Sequence, residues 1–282
     1  MSWNSAKWSL PDLNLLRCPG CRVGRLRRAD DDDAPRNAVV CRECTARWPL
    51  WRGVPVLFRD AWVKGPDRVM RVLYDNLPGL HDPAVTWLLP VWQLGGTEAA
   101  MREGYLRRLQ LAQLPAQAKL LEVSIGTGVN VPLIRSRLQG QQLDYWGLDL
   151  SEGMLGMCMR KLASGGHSDV QLLRADAHQL PFADATFERV FHVGGIGAFA
   201  NPRQALAEMV RVAKPGSPIV VVDEALDPDR SHGWWPRMWF EMLTFADNNP
   251  HCPVEHVPAG ATEVVAEQLG RFYYCLSFRT PS

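Results

Sequence analysis

The chain of 282 residues predicts an α/β protein: a doubly wound, mostly parallel sheet behind a small cysteine-rich module. Three observations carry that expectation. From Lys119 to Glu224, apolar runs of strand length alternate with runs of helical spacing, the pattern of parallel strands joined by crossover helices. The stretch Leu120–Asn130 reads LLEVSIGTGVN. An apolar strand ends in a glycine turn and a helix start, which is how such sheets aim backbone N–H groups at a small ligand. Near the N-terminus, Cys18-Pro-Gly-Cys21 and Cys41-Arg-Glu-Cys44 stand 19 residues apart, a spacing of metal ligands.

Composition bounds the rest. Hydrophobic residues make up 46% and charged residues 22%, enough for a sizeable globular core. The net charge of +1 supplies no global field to draw in nucleic acid or an anionic membrane. The opening residues MSWNSAKWSLPDL lack a secretory pattern, and no run reaches the roughly 18–20 apolar residues of a membrane span. The expectation is a cytoplasmic protein without membrane contact, in which paired cysteines hold metal rather than disulfides.

The three expected parts are a ribbon (1–60), a helical connector (61–115) and the α/β domain (116–282). In the ribbon, Cys18, Cys21, Cys41 and Cys44 form a candidate structural zinc site. Four thiolates complete a tetrahedron and leave no position for water. A redox CxxC or four unrelated core cysteines are the competing readings; no βαβ pattern flanks either pair. Trp48–Phe58 alternates and is rich in β formers, a strand-turn-strand that closes the ribbon. Arg25–Arg28 and the acidic run Asp30–Asp33 read as a solvated hairpin tip or loop between the pairs.

In the connector, Asp67–Leu77 and Thr97–Leu114 carry apolar residues at helical spacing. Leu80–Gly96, broken by prolines and glycines, could lie over the glycine turn as a lid. Tyr74 and His81 are its polar groups within reach of a ligand, with ordinary packing as the plainer reading.

The α/β domain reads as strands Leu120–Ile125, Asp144–Leu150, Val170–Asp176, Phe187–Val193 and Pro218–Glu224. Helices Val131–Leu138, Gly153–Ala163 and Arg203–Ala213 join them, with a short helix at Ala177–Leu180. Thr262–Leu269 and Phe272–Phe278 add an antiparallel pair. Ligands bind outside the carboxyl ends of such strands. There Gly126 and Gly128 allow close backbone approach. Asp149 stands where an acid binds a ribose diol, and Asp176 where a carboxylate accepts from an adenine amino group. With Glu122 ahead of the turn, these residues describe a pocket for a nucleoside with a charged tail.

Two resemblances sharpen this reading. Leu16–Phe58 resembles the Trm112-like zinc ribbons: a Leu-x-Cys-Pro-x-Cys opening, a second CxxC and an apolar-Pro-Val-Leu tail. In that family the module activates methyltransferases as a subunit or a fusion, which implies a protein partner for the ribbon as one option. LLEVSIGTG, GLDLSEGML, LLRADAHQLPFADATFERVF and AEMVRVAKPGSPIVVVDE, across residues 119–225, resemble class I S-adenosylmethionine-dependent methyltransferases. The nearest type is the ubiquinone/menaquinone-methyltransferase-like group. That resemblance implies a seven-stranded Rossmann-like sheet and S-adenosylmethionine as methyl donor. It implies that Gly126 and Gly128 line the methionine tail, Asp149 binds the ribose, Met154 packs on the adenine, and Asp176 and Ala177 meet its edge. Glu122 orders the turn, and Ser124, Asn130 and Leu150 belong to the same donor site. Ser124 replaces the first glycine of the usual E/D-x-G-x-G-x-G, a tolerated departure. A dinucleotide site is the weaker reading, because the third glycine of its fingerprint is missing.

The sulfonium activates its own methyl group, so the site must supply in-line approach and exclude water. A base helps if the acceptor is a hydroxyl or an amine. His192, near the end of the fourth strand, is the candidate, with packing as the alternative; Asp223 and Glu224 are further candidates. The Asn/Asp-Pro-Pro-Tyr block of nucleic-acid amino methyltransferases is absent. The expected function is methyl transfer to a small-molecule acceptor. The alternatives are an rRNA guanine N-methyltransferase and a non-catalytic, donor-binding scaffold whose ribbon docks a partner. Residues 1–60 hold 11 Lys and Arg against 7 Asp and Glu, only mildly basic for RNA. Trp234–Phe245 reads as a helix walling the acceptor pocket. His251, Cys252 and His256 in a loop lack a further ligand pair for a second metal.

Overall fold

The computed structural model describes residues 8–30, 37–79, 98–138, 140–245, 247 and 249–282. His81, Thr97, Asp31–Asp33 and the expected lid over Leu80–Gly96 lie outside them. Among the described residues, no helix is long and apolar enough to cross a membrane.

The N-terminal module is an antiparallel sheet of β1 (Leu26–Arg28), β2 (Ala38–Cys41), β3 (Arg47–Trp51) and β4 (Val54–Pro55), in that spatial order. Its turn at Arg52–Gly53, both with positive φ, joins the two strands expected from Trp48–Phe58. The connector supplies helix α1 (Gly65–Asn76), with Pro66 in its first turn, and α2 (Glu98–Arg108).

The expected Thr97–Leu114 helix stops short of Leu114. Gln110 takes a left-handed φ of 50°, and a short 3-10 turn follows at Leu111–Gln113. The cause is Arg189, which is buried. Its Nε donates to the Leu109 carbonyl at 2.7 Å, and its Nη2 donates to the Gln110 carbonyl at 3.2 Å. These are carbonyls that a continuing helix would have used.

The main sheet has seven strands in the order β10-β11-β9-β8-β5-β6-β7. They are β5 (Ala118–Val123), β6 (Leu143–Asp149), β7 (Gln171–Arg174), β8 (Arg189–Val193), β9 (Pro218–Glu224), β10 (Thr262–Gln268) and β11 (Tyr273–Arg279). β5 through β9 pair in parallel; β11 is antiparallel to both β9 and β10. Helices α3 (Asn130–Arg137), α4 (Glu152–Ser164) and α5 (Pro202–Val212) are the crossovers, and α6 (Trp234–Leu243) precedes the last pair. The Ala177–Leu180 helix does not form. Asp176 instead accepts from the His178 N–H at 2.9 Å, a side-chain-closed turn, and Glu208 takes the Leu180 N–H at 2.8 Å.

Strand period sorts the core into two faces. Leu120 joins Ile134, Tyr145 and Leu155 on one face, while Leu121 and Val123 join Trp146 and Met209 on the other. The second face also contains Leu16, Val39, Trp48 and Leu57, so the ribbon buries its apolar side on the sheet. It also extends the sheet edge: Val56 bridges Arg174 in parallel, the Leu57 N–H donates to the Arg174 carbonyl at 2.8 Å, and the Arg17 N–H donates to the Pro181 carbonyl at 2.9 Å. An exposed edge strand is thereby covered from within the same chain.

Candidate active site

A cavity of about 290 Å³ opens at the carboxyl ends of β5, β6, β8 and β9. The turn after β5 forms its floor. Ser124 there has φ 58° and Gly126 φ 56°. Left-handed backbone suits glycine and strains serine, so the departure at Ser124 stores strain at the floor of the cavity. The Gly126 N–H donates to Asp149 Oδ2 at 2.9 Å, and the Ser151 N–H donates to Asp149 Oδ1 at 2.8 Å. The carboxylate that ends β6 is thus oriented by two backbone amides. Gly128 does not line the cavity. A Cβ on it would stand 2.8 Å from the Cys158 sulfur, so its role is close packing of the turn against α4.

Beneath the floor lies a buried polar chain. Tyr145 Oη donates to Glu122 Oε2 at 2.5 Å, Asn130 Nδ2 donates to Glu122 Oε1 at 2.6 Å, and both Tyr105 and Arg102 donate to Asn130 Oδ1 at 2.6 Å. Burial pushes the Glu122 carboxyl up to about 7, against the opposing pull of the Tyr145 and Asn130 hydrogen bonds and of Arg102. Arg102 and Tyr105 carry no motif. They sit in α2, and only the packing of that helix reveals them.

Leu150, Met154 and Asn130 line the cavity with Glu122, Ser124 and Asp149. Asp176 and Ala177 do not; Asp176 is held against His178 Nδ1 at 2.7 Å. On that side the lining acid is Asp67 of α1, 3.8 Å from the same imidazole. Burial opposes the charge on His178, but the Asp176 hydrogen bond and the charges of Asp176 and Asp67 raise its pKa overall.

The opposite end of the cavity belongs to β8, β9 and the segment after α6. Asp223 accepts from the N–H groups of Gly195 and Gly197, each at 2.7 Å, and so shapes the loop after β8. Glu224 and Asp247 line the cavity beside it. Burial, followed by the charge of Asp223, raises the Glu224 carboxyl well above its ordinary range. Tyr74 stands between the two ends: burial and the charges of Glu224, Asp149 and Asp223 all raise its phenol. Phe199, Phe245 and Tyr273 complete this part of the wall.

His192 is fully buried and is not part of the lining. Its Nδ1 lies 3.0 Å from the Val123 carbonyl, so that nitrogen carries the proton. Nε2 has no partner among the described residues, and burial lowers the pKa. The ring of Phe199 packs on the imidazole at 5.3 Å, and Phe199 itself faces the cavity.

Away from the cavity, the four ribbon cysteines converge. Their sulfurs all lie within 4.8 Å of one another, with Cys18–Cys44 and Cys21–Cys41 each at 3.7 Å. Thiolates about 2.3 Å from a tetrahedral zinc stand that far apart. Among the described residues this is the one such cluster. His251 is engaged with Glu255 at 2.8 Å and belongs to no metal cluster.

Residues 121–221 match the family described as a methyltransferase domain. Those residues are a class I S-adenosylmethionine-dependent methyltransferase domain. The chain is 33% identical over 137 residues to a demethylmenaquinone methyltransferase of Thermus thermophilus, covering 49% of this chain and 61% of that protein. It is 33% identical over 119 residues to a phosphatidylethanolamine N-methyltransferase of Cereibacter sphaeroides, covering 42% and 56%. The chain therefore spans between half and two thirds of these relatives' length. Among solved structures it resembles a Haemonchus contortus phosphoethanolamine N-methyltransferase bound to S-adenosyl-L-methionine, with a TM-score of 0.53, 13% identity, and 64% and 52% of the two chains covered. The cyclase SpnF is similar at a TM-score of 0.52 and 17% identity, covering 67% and 83%. At these identities the likeness is one of fold. The methyltransferase domain places its seven-stranded sheet as the sequence leads one to expect, and the cavity lies at its switch point.

Proposed function

We propose that the chain binds S-adenosylmethionine in this cavity and transfers its methyl group to a small-molecule acceptor that enters neutral or cationic. The observation that carries the reading is one continuous cavity joining the Ser124–Thr127 turn and Asp149 to Asp223, Glu224 and Tyr74. The donor supplies an activated methyl on a sulfonium. Asp149, held by two amides, accepts from the ribose hydroxyls. Leu150 and Met154 pack on the adenine, and the turn's backbone receives the methionine tail. In strand order β9-β8-β5-β6, a donor lying across β5 and β6 directs its methyl toward β8 and β9. The acceptor then meets Tyr74, Phe199, Phe245 and Tyr273.

Charge narrows the acceptor. Asp67, Glu122, Asp149, Asp223, Glu224 and Asp247 line the cavity, against Arg71 and Arg102. Arg71 is paired with Asp60 at 2.8 Å, and Arg102 is bonded to Asn130. Even with Glu122 and Glu224 raised toward their neutral forms by burial, a cavity lined mainly by carboxyls disfavours phosphate and favours an amine, a neutral phenol or a carbon nucleophile. The same repulsion counts against an RNA acceptor. His192 faces the cavity only through Phe199, which makes it a wall-supporting residue in this reading. Glu224, which lines the cavity, is the carboxyl placed to meet the acceptor. The four cysteines hold a structural zinc. Because the ribbon's apolar face is spent on the sheet, its role is served within the chain rather than by a separate partner.

Calorimetric titration of the whole chain with S-adenosylmethionine and S-adenosylhomocysteine tests donor binding, with Asp149→Ala as control. Labelled methyl transfer to fractionated cell extract, with RNA and small molecules kept apart, tests the acceptor. Binding lost in Asp149→Ala, with label entering a small-molecule fraction, is expected. Label in RNA, or no donor binding, overturns the proposal.

A further inference from the structure

Arg174, the last residue of β7, touches the ribbon and the donor loop at once. Its carbonyl accepts from Leu57 at the ribbon's end. Its guanidinium lies 5.3 Å from the ring centroid of Phe58, the next residue of that tail. From there Nε donates to the Leu150 carbonyl at 3.2 Å, and Nη1 donates to Glu152 at 3.2 Å. Nη2 stands 4.0 Å from Asp75. Asp75, on α1, accepts from Ser151 Oγ at 2.7 Å and from the Gly153 N–H at 3.2 Å. The segment so gripped, Leu150–Gly153, follows directly on Asp149, and Ser151 N–H is one of the two amides that orient that carboxylate.

We infer that Phe58 and Arg174 are positioning residues through which the ribbon's tail sets the Asp149–Ser151 loop for the methyl donor. The inference rests on reading this cavity as the donor site. The physical reason is geometric. A guanidinium is a rigid plane with donors in fixed directions. A ring stacked on it fixes that plane, and the plane then fixes where the Leu150 carbonyl and the start of α4 lie. Arg174 has a side chain only 14% exposed, so water competes little for the bond to the Leu150 carbonyl. Arg71 approaches the same ring at 5.7 Å and lines the cavity. Phe58 therefore braces both the loop and α1, the helix that carries Tyr74. The tail does not touch the donor; it acts through Arg174.

The test is donor and product affinity in the full chain. S-adenosylhomocysteine is titrated calorimetrically into wild type, Phe58→Leu, Phe58→Tyr and Arg174→Lys, with Val23→Ser on the exposed ribbon surface as control. Thermal melting is followed in parallel. Phe58→Leu keeps the apolar volume and removes the π face; its dissociation constant is expected to rise about tenfold. Phe58→Tyr restores the face and the affinity. Arg174→Lys keeps the charge but loses the planar fork, and weakens binding to a similar degree. Should Phe58→Leu fail to fold, Arg174→Lys decides. Lowered melting temperatures with affinities within twofold of wild type would make these residues scaffold only and overturn the inference. Wild type that binds no donor overturns the donor-site reading, and this inference with it. Wild type that binds alongside unchanged variants overturns this inference alone.

Discussion

Glu122→Gln isolates the energetic cost of the acid beneath the glycine turn. Glu122 is 1% exposed, and its carboxyl is pushed up to about 7 from an ordinary 4.5, first of all by burial. Below pH 4.5 the group is neutral in the folded and unfolded chain alike. Between 4.5 and about 7 the folded chain keeps the proton and the unfolded chain has lost it, so stability falls as pH rises. Above about 7 both states are ionised and the loss is complete. The shift corresponds to about 3 kcal/mol at most. Glutamine stays neutral at every pH: its oxygen accepts from Asn130, and the Tyr145 hydroxyl turns from donating to accepting from the amide, as it does toward a protonated carboxyl. Urea unfolding of wild type and Glu122→Gln, measured from pH 4.5 to 8, is the assay. The variant is expected to gain on wild type by up to about 3 kcal/mol across that window, and the difference to level off above pH 7. A difference that stays constant with pH would refute the reasoning, because it would mean that the proton on Glu122 does not change with folding.

Three further outcomes follow from the same geometry. Ser124→Gly relieves a left-handed serine and is expected to stabilise by about 1 kcal/mol, whereas Ser124→Val destabilises; thermal melts distinguish the two. Gly128→Ala places a Cβ 2.8 Å from the Cys158 sulfur at a φ of 78°, at an expected loss of about 1–3 kcal/mol. Adding Cys158→Ala should return part of that loss in the same melts. Cys18→Ser is expected to abolish bound zinc by elemental analysis. Because Trp48 and Leu57 share a core with Leu121 and Trp146, it should also lower the melting temperature of the whole chain in one transition. Full zinc content in that variant would remove the metal assignment.

The amino-acid sequence by itself determined the architecture and the end of the cavity formed by Ser124, Gly126 and Asp149, for a physical reason. Strand and helix periods are written in local residue order, as is a turn such as Ser124–Gly128. Asp149 ends a strand, so its place at the sheet's carboxyl edge follows from chain order alone. The two CxxC pairs likewise announce their convergence through spacing. Only the tertiary structure decided what comes from packing between distant segments. Arg189, 79 residues away from Gln110 in sequence, ends the helix that periodicity alone continues to Leu114. Asp67, not Asp176, lines the cavity, because α1 folds over that corner. His192 reads as a base from its strand-end position, yet its side chain points into the core behind Phe199. Arg102 and Tyr74 reach the cavity from connector helices, and Tyr105 supports Asn130 beneath it. The end of the cavity at β8 and β9 is built from such long-range contacts, which is why the local pattern marks the turn after β5 and leaves the opposite wall to the folded chain.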